Sequence, residues 1–473
     1  MTPTRRAYLA LIALLIFASL YLVFYQRVQL DQPQDKPADV KIEETFNWFA
    51  DNAIRANRPP SPSVTTVEER LRVAEEIIRS ILSDSQDFIT RDCTDNVSDE
   101  YKQSVALRYA NLSYAPFPTK KPRRYFFALN LYDNEAVLPD LALQLVRLIA
   151  HLGPSNVFVS VFENGSTDRT PQLLQTTFAR ALKHLGADHS IKTSTAPKPS
   201  KVHRIEYLAH ARNRALEPLH ILAAPPYDLR YDHVLFINDI FVCHNDLLEL
   251  LYQQRLQRSH ITCGLDYDLQ WGDVPIFYDT WVARDVKGLP FFKDPGRPLH
   301  SAPSMARYQS NLPFQAYCCW NGVAVLDPTP LYDEDVRFRA ATPHPHKPPE
   351  ELSNTDATGG ECGASECSLL CKDYWASGHG RVLVVSRVKV AYEAHVYKAL
   401  HERPGKFGLP ADGQFWPRDR KFEEEEGRMI EWDKGPDAQF CIGYHEKTVL
   451  APWEQVMWED VPVSLEDPLR PAD

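Results

Sequence analysis

Three apolar runs in the first half of the chain each end at acidic or amide side chains. The runs cover 124–131, 157–162 and 234–237, and the groups that follow them are Asp133, then Glu163, Asn164 and Asp168, then Asn238 and Asp239. In open α/β sheets, ligands bind at the edge where parallel strands end. A carboxylate such as Asp239 can hold Mg²⁺ or Mn²⁺ there, and the cation can hold a diphosphate. The alternative for Asn238 and Asp239 is an ordinary turn.

Two neighbouring segments extend this predicted rim. The tight turn 163–168 offers backbone amides and carboxylates that suit ribose hydroxyls and the edge of a base, although Ser166 or Thr167 can equally cap the next helix. Arg204, Arg212 and Arg214 precede the strand that ends at Asp239. Guanidinium groups bind diphosphate oxygens in bidentate fashion, but each of these arginines could also be a surface residue.

The elements that must position these groups alternate along the chain. Strand-like runs are separated by helical patterns, among them 170–185 and 205–222, and a helix with apolar spacing follows Asn245. This alternation predicts an α/β fold with a mostly parallel central sheet whose two faces are covered by helices. The three groups of polar residues would then form one rim of one site.

Length and charge limit the other possibilities. The chain has 473 residues and a net charge of −11, so we expect one large domain with appendages and no nucleic-acid partner. Residues 7–25 form an uncharged apolar run, long enough to cross a membrane, that follows Arg5 and Arg6. These arginines predict a type II anchor with the bulk of the chain in the lumen, and a cleaved signal peptide is the alternative.

The predicted domains are a cytosolic tail 1–6, the anchor 7–25, a lumenal stalk 26–121, a catalytic domain 122–400 and an extension 401–473 that packs on it. Within the stalk, a capped helix is predicted over about 66–82, with Thr66 and Glu69 as a capping box; it either packs on the main domain or mediates self-association.

The nine cysteines are expected to be mostly disulfide-bonded in such a compartment, with at least one left over. Cys367 and Cys371 lie on one predicted helix face, so each is expected to pair with a distant residue such as Cys318 or Cys319. A zinc site formed by Cys362, Cys367, Cys371 and His379 is the alternative, although the usual close cysteine pair is missing. Sequons stand at Asn96, Asn111 and Asn164, the last of them inside the predicted rim.

Six motifs in order give the chain a family resemblance: FENGSTDRT, LAHARNRALEPL, VLFINDIFVCHNDLLELL, FYDTWVARDVKG, CCWNG and GECGASECSLLCKDYW. Over roughly 123–400 it resembles the fungal capsule-associated α-1,3-mannosyltransferases of glycosyltransferase family 69. The resemblance implies a GT-A-type nucleotide-sugar-binding fold, GDP-mannose as donor, a mannose-containing glycan as acceptor, a divalent cation (usually Mn²⁺), retention of configuration and a Golgi membrane location.

Further site residues follow from that resemblance. GT-A enzymes usually carry Asp-x-Asp directly after the strand that leads to the metal site, whereas this chain has Asn238-Asp239-Ile240 there. Asp239 is therefore the predicted metal ligand. The alternative is that Asp266 and Asp268 hold the metal. His395 is the predicted second ligand, or else a structural histidine. The expected acceptor contacts are Asp266, Asp268, Asp279, Trp281, Trp320 and Glu361. Each of the two tryptophans could equally be a core residue. Gly322 would let the backbone approach the donor, and Glu366 would orient the acceptor hydroxyl.

These features predict a retaining mannosyltransferase with Asp239, Glu366 and Arg212 as its catalytic residues. The alternative is a membrane-anchored glycan-binding or assembly factor with a degenerate site, and the missing second acid is its main support. A glycosidase fits less well, because it needs two carboxylates around one bond and no diphosphate site.

Overall fold

The computed structural model describes residues 65–83, 86–90, 103, 106–112, 122–195, 202–271, 273–341, 361–402, 427–443 and 456–461. All of them lie within the unit Glu43–Asp473. Among these residues no helix combines the length and apolar character that a membrane crossing requires. The predicted anchor 7–25 and the sequon at Asn96 lie outside the described residues.

Twelve strands are found in the described part of the chain. They are β1 Tyr125–Leu131, β2 Val157–Glu163, β3 Asp188–Thr193, β4 His233–Ile237, β5 Ile261–Gln270, β6 Val274–Phe277, β7 Arg284–Asp285, β8 Phe314–Cys318, β9 Val323–Leu326, β10 Val382–Ala391, β11 Ala438–Ile442 and β12 Val456–Asp460.

The helices described are α1 Val67–Arg79, α2 Leu138–Leu152, α3 Thr170–Leu173, α4 Ala179–Leu185, α5 Arg204–Ala223, α6 His244–Gln257, α7 Ala302–Gln309, α8 Thr329–Asp333, α9 Glu366–Ala376 and α10 Ala394–Glu402. A π-helical turn, Leu174–Phe178, joins α3 to α4. The single helix predicted over 170–185 is therefore interrupted in its middle.

The central sheet has the order β3-β2-β1-β4-β9-β5-β10-β8-β7, with β6 added to β5. Strands β3, β2, β1 and β4 are parallel neighbours, and β5 pairs in parallel with β10. The strand β9 runs antiparallel between β4 and β5. Since β4 and β5 are both antiparallel to β9, they point the same way and end at one edge. The prediction of a mostly parallel α/β sheet is confirmed.

Both faces of the sheet are buried, as the apolar runs predict. Along β1, Phe126 and Ala128 join one core cluster, while Phe127 and Leu129 join the other, because successive strand residues point to opposite faces. Helix α5 covers the first face and α2 covers the second. The rigid sandwich of helix, sheet and helix fixes where each strand ends.

The helix predicted within the stalk packs on the main domain. Thr66 and Glu69 form the predicted capping box of α1. Arg70 donates a hydrogen bond from Nη1 to the carbonyl of Leu185 at 2.8 Å. Ala74 and Ile78, on the inner face of α1, are fully buried in the core.

The C-terminal strands β11 and β12 form a small antiparallel sheet that contacts the main domain. The indole of Trp281 donates to the carbonyl of Ile442 at 2.8 Å, and Arg284 donates from Nε to the carbonyl of Phe440 at 2.6 Å. A disulfide between Cys362 and Cys441 adds a covalent link.

Two further disulfides start from adjacent residues. Cys318 pairs with Cys371 of α9, and Cys319 pairs with Cys263 of β5. The prediction that Cys371 pairs with Cys318 or Cys319 is confirmed. The same prediction is wrong for Cys367, which is a buried thiol. Since Cys371 and Cys362 are each used in a disulfide, the alternative zinc site is also wrong.

Candidate active site

The parallel register brings the three predicted polar groups to one edge. Leu131 of β1 lies beside Glu163 of β2, and Leu129 lies beside Ile237 of β4. The residues that follow these strands, including Asp133 and Asp239, therefore share a single rim.

The loops after β1 and β2 interlock through their side chains and amides. Asp133 accepts a hydrogen bond from the backbone amide of Thr167 at 2.7 Å, and its own amide donates to Ser166 Oγ at 2.8 Å. The carboxylate of Asp168 accepts from the amide of Glu135 at 2.9 Å. These contacts fix the two loops as one surface on which Asp133 remains exposed.

Glu163 and Asn164 lie beneath this surface rather than on it. Glu163 is fully buried, and its carboxylate accepts hydrogen bonds from the amides of Ser166 and Ser194. The amide oxygen of Asn164 accepts from Asn130 at 2.8 Å. The structure therefore gives both residues a supporting contact, where the sequence predicted direct contact with the donor.

Asp239 follows β4 and is held by a residue from the β1 loop. Asn134 donates from Nδ2 to Asp239 Oδ2 at 2.9 Å. Burial raises the pKa of Asp239, and the hydrogen bond from Asn134 and the charge of Arg212 oppose that rise. Asn134 was missed by the sequence reasoning, which weighed only the acids after β1.

Arg212 links the strand that precedes Asp239 to helix α9. Its Nε donates to Glu366 Oε1 at 2.9 Å, and its Nη1 donates to Asn238 Oδ1 at 3.1 Å. Asn238 Oδ1 also accepts from the indole of Trp320 at 3.3 Å, while Asn238 Nδ2 donates to the hydroxyl of Tyr392 at 3.2 Å. The side chain before Asp239 is thus held from three directions.

This network changes the expected roles of two residues. Arg212 is buried, and its guanidinium lies over the rings of Phe236, Trp320 and Phe338 at 5.2, 4.9 and 5.6 Å. Glu366 is only 2% exposed. Neither side chain offers much surface to a substrate, so the geometry makes them a positioning pair and not direct donor and acceptor contacts.

The other two predicted arginines lie elsewhere on α5. Arg204 is the exposed first residue of the helix. Arg214 pairs with Glu217 at 2.9 Å. Of the three arginines, Arg204 remains accessible, and Arg212 alone is joined to the Asp239 region.

A second acidic group consists of Asp266, within β5, and Asp279, just after β6. The backbone amide of Asp279 donates to Asp266 Oδ1 at 3.2 Å, and the amide of Asn321 donates to Asp279 Oδ2 at 3.4 Å. Asp266 is fully buried and its Oδ2 has no hydrogen-bond partner. Burial, with the adjacent Asp279, holds the pKa of Asp266 well above its usual range, and burial raises the pKa of Asp279 to about 6.

Two tyrosines missed from the sequence connect the acidic groups. The rings of Tyr278 and Tyr392 lie 5.4 Å apart. Burial raises the pKa of each hydroxyl, and the charges of Asp266, Asp279 and Asp239 raise it further. Tyr278 donates its backbone amide to the carbonyl of Asp266 at 3.0 Å, and Tyr392 accepts from Asn238, so the two tyrosines join the end of β4 to β5. Tyr392 directly follows the apolar strand β10, and that position is the one signal in the sequence that could have located it.

Gly322 and His395 lie at the same edge. Gly322 has φ +80°, and a Cβ there would meet Ile240 Cγ2 at 2.9 Å. The close approach in the structure is to a neighbouring side chain, and the contact of Gly322 with the donor stays a prediction. His395 is exposed in the first turn of α10, just after β10, whose last residue Ala391 bridges Phe241.

Two predicted acceptor residues are held outside this cluster, and a third, Asp268, lies at its margin. Trp281 supports the C-terminal sheet through its indole. Glu361 pairs with Arg339 at 2.6 Å and Lys372 at 3.0 Å. Asp268 lies two residues beyond Asp266 along the same strand, on the hairpin formed by β5 and β6.

Oxygen ligands are available at the rim, but no full metal shell is present. Asp239 supplies a half-buried carboxylate, and the negative charge of Glu393 contributes to its raised pKa. Nowhere in the described ranges do three or more His, Cys, Asp or Glu side chains form a group that could hold a metal ion. A cation here would take most of its ligands from substrate phosphate and water.

Comparison with known proteins agrees with the motif resemblance. The model of a family described as cryptococcal mannosyltransferase 1 matches residues 124–373. An α-1,3-mannosyltransferase, CMT1, of Cryptococcus neoformans var. neoformans serotype D is 31% identical over 424 residues, covering 84% of this chain and 84% of the relative.

Two solved structures align weakly. TarS 1–349 of S. aureus is 14% identical with a TM-score of 0.28, over 55% of this chain and 57% of that one. The mannosyltransferase PcManGT of Pyrobaculum calidifontis, in complex with GDP-Man and Mn²⁺, is 12% identical with a TM-score of 0.30, over 68% of each chain. At these TM-scores neither structure bears on the site.

Proposed function

Because this chain belongs to the cryptococcal mannosyltransferase 1 family, we propose that it transfers mannose from GDP-mannose to a hydroxyl of a mannose-containing glycan, forming an α-1,3 linkage with retention of configuration. The identity to an α-1,3-mannosyltransferase over 84% of both chains carries the proposal. Asp239, Arg212, Asn238 and Glu366 all lie within the matched residues 124–373.

The donor would lie along the edge where β1, β2 and β4 end, in a sheet of GT-A type. The interlocked β1 and β2 loops offer exposed Asp133 and half-buried Asp168 to the nucleoside. The exposed Arg204 can offset the charge of the diphosphate. Glu163 and Asn164 keep the loop in shape from below.

The carboxylate of Asp239 would hold a divalent cation, Mn²⁺ or Mg²⁺, near the diphosphate. Asp239 would supply one oxygen, with His395 as the second ligand from the start of α10. When bound, the cation supplies positive charge that stabilises the departing GDP. The contribution of the chain is to hold the carboxylate: Asn134 bonds it directly, and Arg212 fixes the preceding Asn238.

The acceptor would approach from the β5 side. Asp279 is the partly exposed member of the second acidic group, and a carboxylate orients a sugar hydroxyl by accepting its hydrogen bond. The acceptor oxygen bonds to the mannosyl carbon as the bond to the GDP oxygen breaks, and the hydroxyl proton passes to the departing phosphate. Trp320, which is 3% exposed, forms the wall behind Asn238.

We further propose a membrane-anchored enzyme whose domain faces the lumen of the Golgi. The apolar run 7–25 after Arg5 and Arg6 supports this topology. The three disulfides among the described residues fit an oxidising compartment.

The test is a donor panel with Mn²⁺ and simple mannosides, analysed by mass spectrometry. Of the donors in the panel, we expect only GDP-mannose to add one hexose to the acceptor. With the Asp239→Asn variant we expect no hexose to be added. The single acid of Asn238-Asp239-Ile240 favours the alternative, a glycan-binding or assembly factor. Cation-dependent binding of GDP with no transfer from any donor would support that alternative and reject the enzyme.

A further inference from the structure

The hairpin of β5 and β6 extends beyond the sheet at the edge where the site lies. Strand β5 pairs with β10 as far as Tyr267, opposite Ala391, and from there on its partner is β6. Because β5 points the same way as β4, the hairpin projects from the edge that carries Asp239. A glycan chain leaving the acceptor position would have this hairpin beside it.

The two faces of the hairpin have different compositions. Tyr267 and Phe277 are paired across the strands and buried in the core, and Leu269 packs on the same core. On the opposite face, the alternation of strand residues places Asp268 against Ile276 and Gln270 against Val274. This second face begins at Asp266, two residues before Asp268, and leads outward from the site.

Exposed apolar groups follow that outward path. Tyr278 is 52% exposed, Val274 38% and Trp271 85%. Tyr278 lies at the inner end, where its backbone amide donates to the carbonyl of Asp266 at 3.0 Å. Trp271 lies at the outer end, just after β5. An exposed tryptophan in a soluble domain marks a contact surface when other exposed apolar groups continue it.

The chemistry of this face suits sugars. Aromatic rings pack on the apolar faces of hexoses, while a carboxylate and an amide accept or donate hydrogen bonds to hydroxyls. The charged residues of 267–278 are Asp268 and Asp273, both acidic. Like charges repel, so the face disfavours a glycan that carries uronic acids.

We propose that this outward face, defined by Asp268, Gln270, Val274, Ile276 and Tyr278, is together with Trp271 at the hairpin tip an extended acceptor subsite for a neutral oligosaccharide chain. The enzyme would therefore prefer chains of several hexoses to single sugars. The inference rests on the proposed function, since it assigns the substrate class of the same site. Tyr278 would contact the sugar next to the reacting hydroxyl, and Trp271 a more distant residue of the chain.

The experiment compares methyl α-mannoside with a linear trimannoside as acceptors for the full chain with GDP-mannose. The measured quantity is the ratio of kcat/KM between the trimannoside and the single sugar. We expect a ratio well above one in the wild type, and a fall of about five- to tenfold in Trp271→Ala, the effect of losing one aromatic contact. Trp458→Ala is the matched control, since Trp458 is 56% exposed on β12, and the ratio should not change in that variant.

Charge provides a second arm. A trimannoside with a glucuronate at its distal residue should give a lower kcat/KM than the neutral chain, and Asp268→Asn should narrow the difference. A wild-type ratio near one, an unchanged ratio in Trp271→Ala, or a preference for the glucuronate chain would each overturn the subsite. A halved mass of Trp271→Ala by light scattering would also overturn it, because the face would then be an interface between copies.

Calorimetry separates this inference from the proposed function. If neither acceptor receives mannose, the enzyme proposal fails, but binding of the trimannoside in the presence of GDP still decides the subsite. Binding that Trp271→Ala weakens would support the subsite, and absence of binding would overturn it. If transfer occurs but its chain-length preference does not depend on Trp271, the function stands and the subsite fails.

Discussion

The buried pair between Arg212 and Glu366 gives the sharpest prediction about the site. The two side chains are 10% and 3% exposed, and Arg212 Nε lies 2.9 Å from Glu366 Oε1. Glu366→Gln keeps an oxygen that can accept this hydrogen bond but removes the charge that balances the guanidinium. Removing one partner of a buried pair costs about 3–5 kcal/mol, and because the hydrogen bond can persist we expect about 3 kcal/mol.

The assay is urea unfolding of a double-mutant cycle. Glu366→Gln and Arg212→Met should each lower the free energy of unfolding, and the double variant should lose less than their sum, with a coupling of about 2 kcal/mol. Arg230 and Asp333 provide the control, because they are also 2.9 Å apart but 56% and 46% exposed. Asp333→Asn should cost less than about 1 kcal/mol.

Kinetics then separates positioning from substrate contact. If Glu366 acts through Arg212 and Asn238, Glu366→Gln should lower kcat while the KM for acceptor stays the same. A coupling below about 0.5 kcal/mol would refute the pair as the link between β4 and α9. A raised acceptor KM with unchanged stability would show instead that Glu366 touches the acceptor.

Three more predictions concern neighbouring residues. Asp239→Asn should reduce transfer by more than about a thousandfold. The urea midpoint should stay almost unchanged, because burial already raises the pKa of Asp239 and an amide can keep the hydrogen bond from Asn134. A clearly lowered urea midpoint would contradict this prediction. Since the pKa of Asp279 is raised to about 6 in the folded chain, the free energy of unfolding should fall as pH rises from about 4 to about 6, while transfer should rise as the carboxylate forms. Asp279→Asn should remove both trends, and their persistence would assign them to another group. Gly322→Ala should cost about 2 kcal/mol, since φ is +80° and the new Cβ would lie 2.9 Å from Ile240 Cγ2, and an unchanged urea midpoint would disprove the clash.

Much of the framework could be predicted because it depends on local patterns. The apolar run that ends at Asn238 and Asp239 is a strand, and the polar residues after three such runs share one edge because parallel strands end together. The chain order does not reveal which strands become antiparallel neighbours, so the insertion of β9 between β4 and β5 could not be foreseen.

The contacts between side chains were less accessible to prediction. Arg212 and Glu366 are 154 positions apart, and nothing in either segment shows that they pair. A glutamate such as Glu361 could bind an acceptor hydroxyl, but in the fold it forms ion pairs with Arg339 and Lys372. The hydrogen bond from Asn134 to Asp239 joins two loops in the same way. Such pairings depend on how the elements pack, which residue type and spacing do not encode.

The adjacent cysteines at the end of β8 have a practical consequence for preparing the protein. Exchanging the partners of Cys318 and Cys319 would leave the mass and the number of crosslinks unchanged. The exchange would shift the chain by one residue there, and a one-residue slip turns each following side chain to the other face. Trp320, whose indole bonds Asn238, would be displaced. Peptide mapping cannot distinguish these isomers unless the chain is cleaved between the two cysteines. An intact mass with all crosslinks formed therefore does not establish a correctly assembled site.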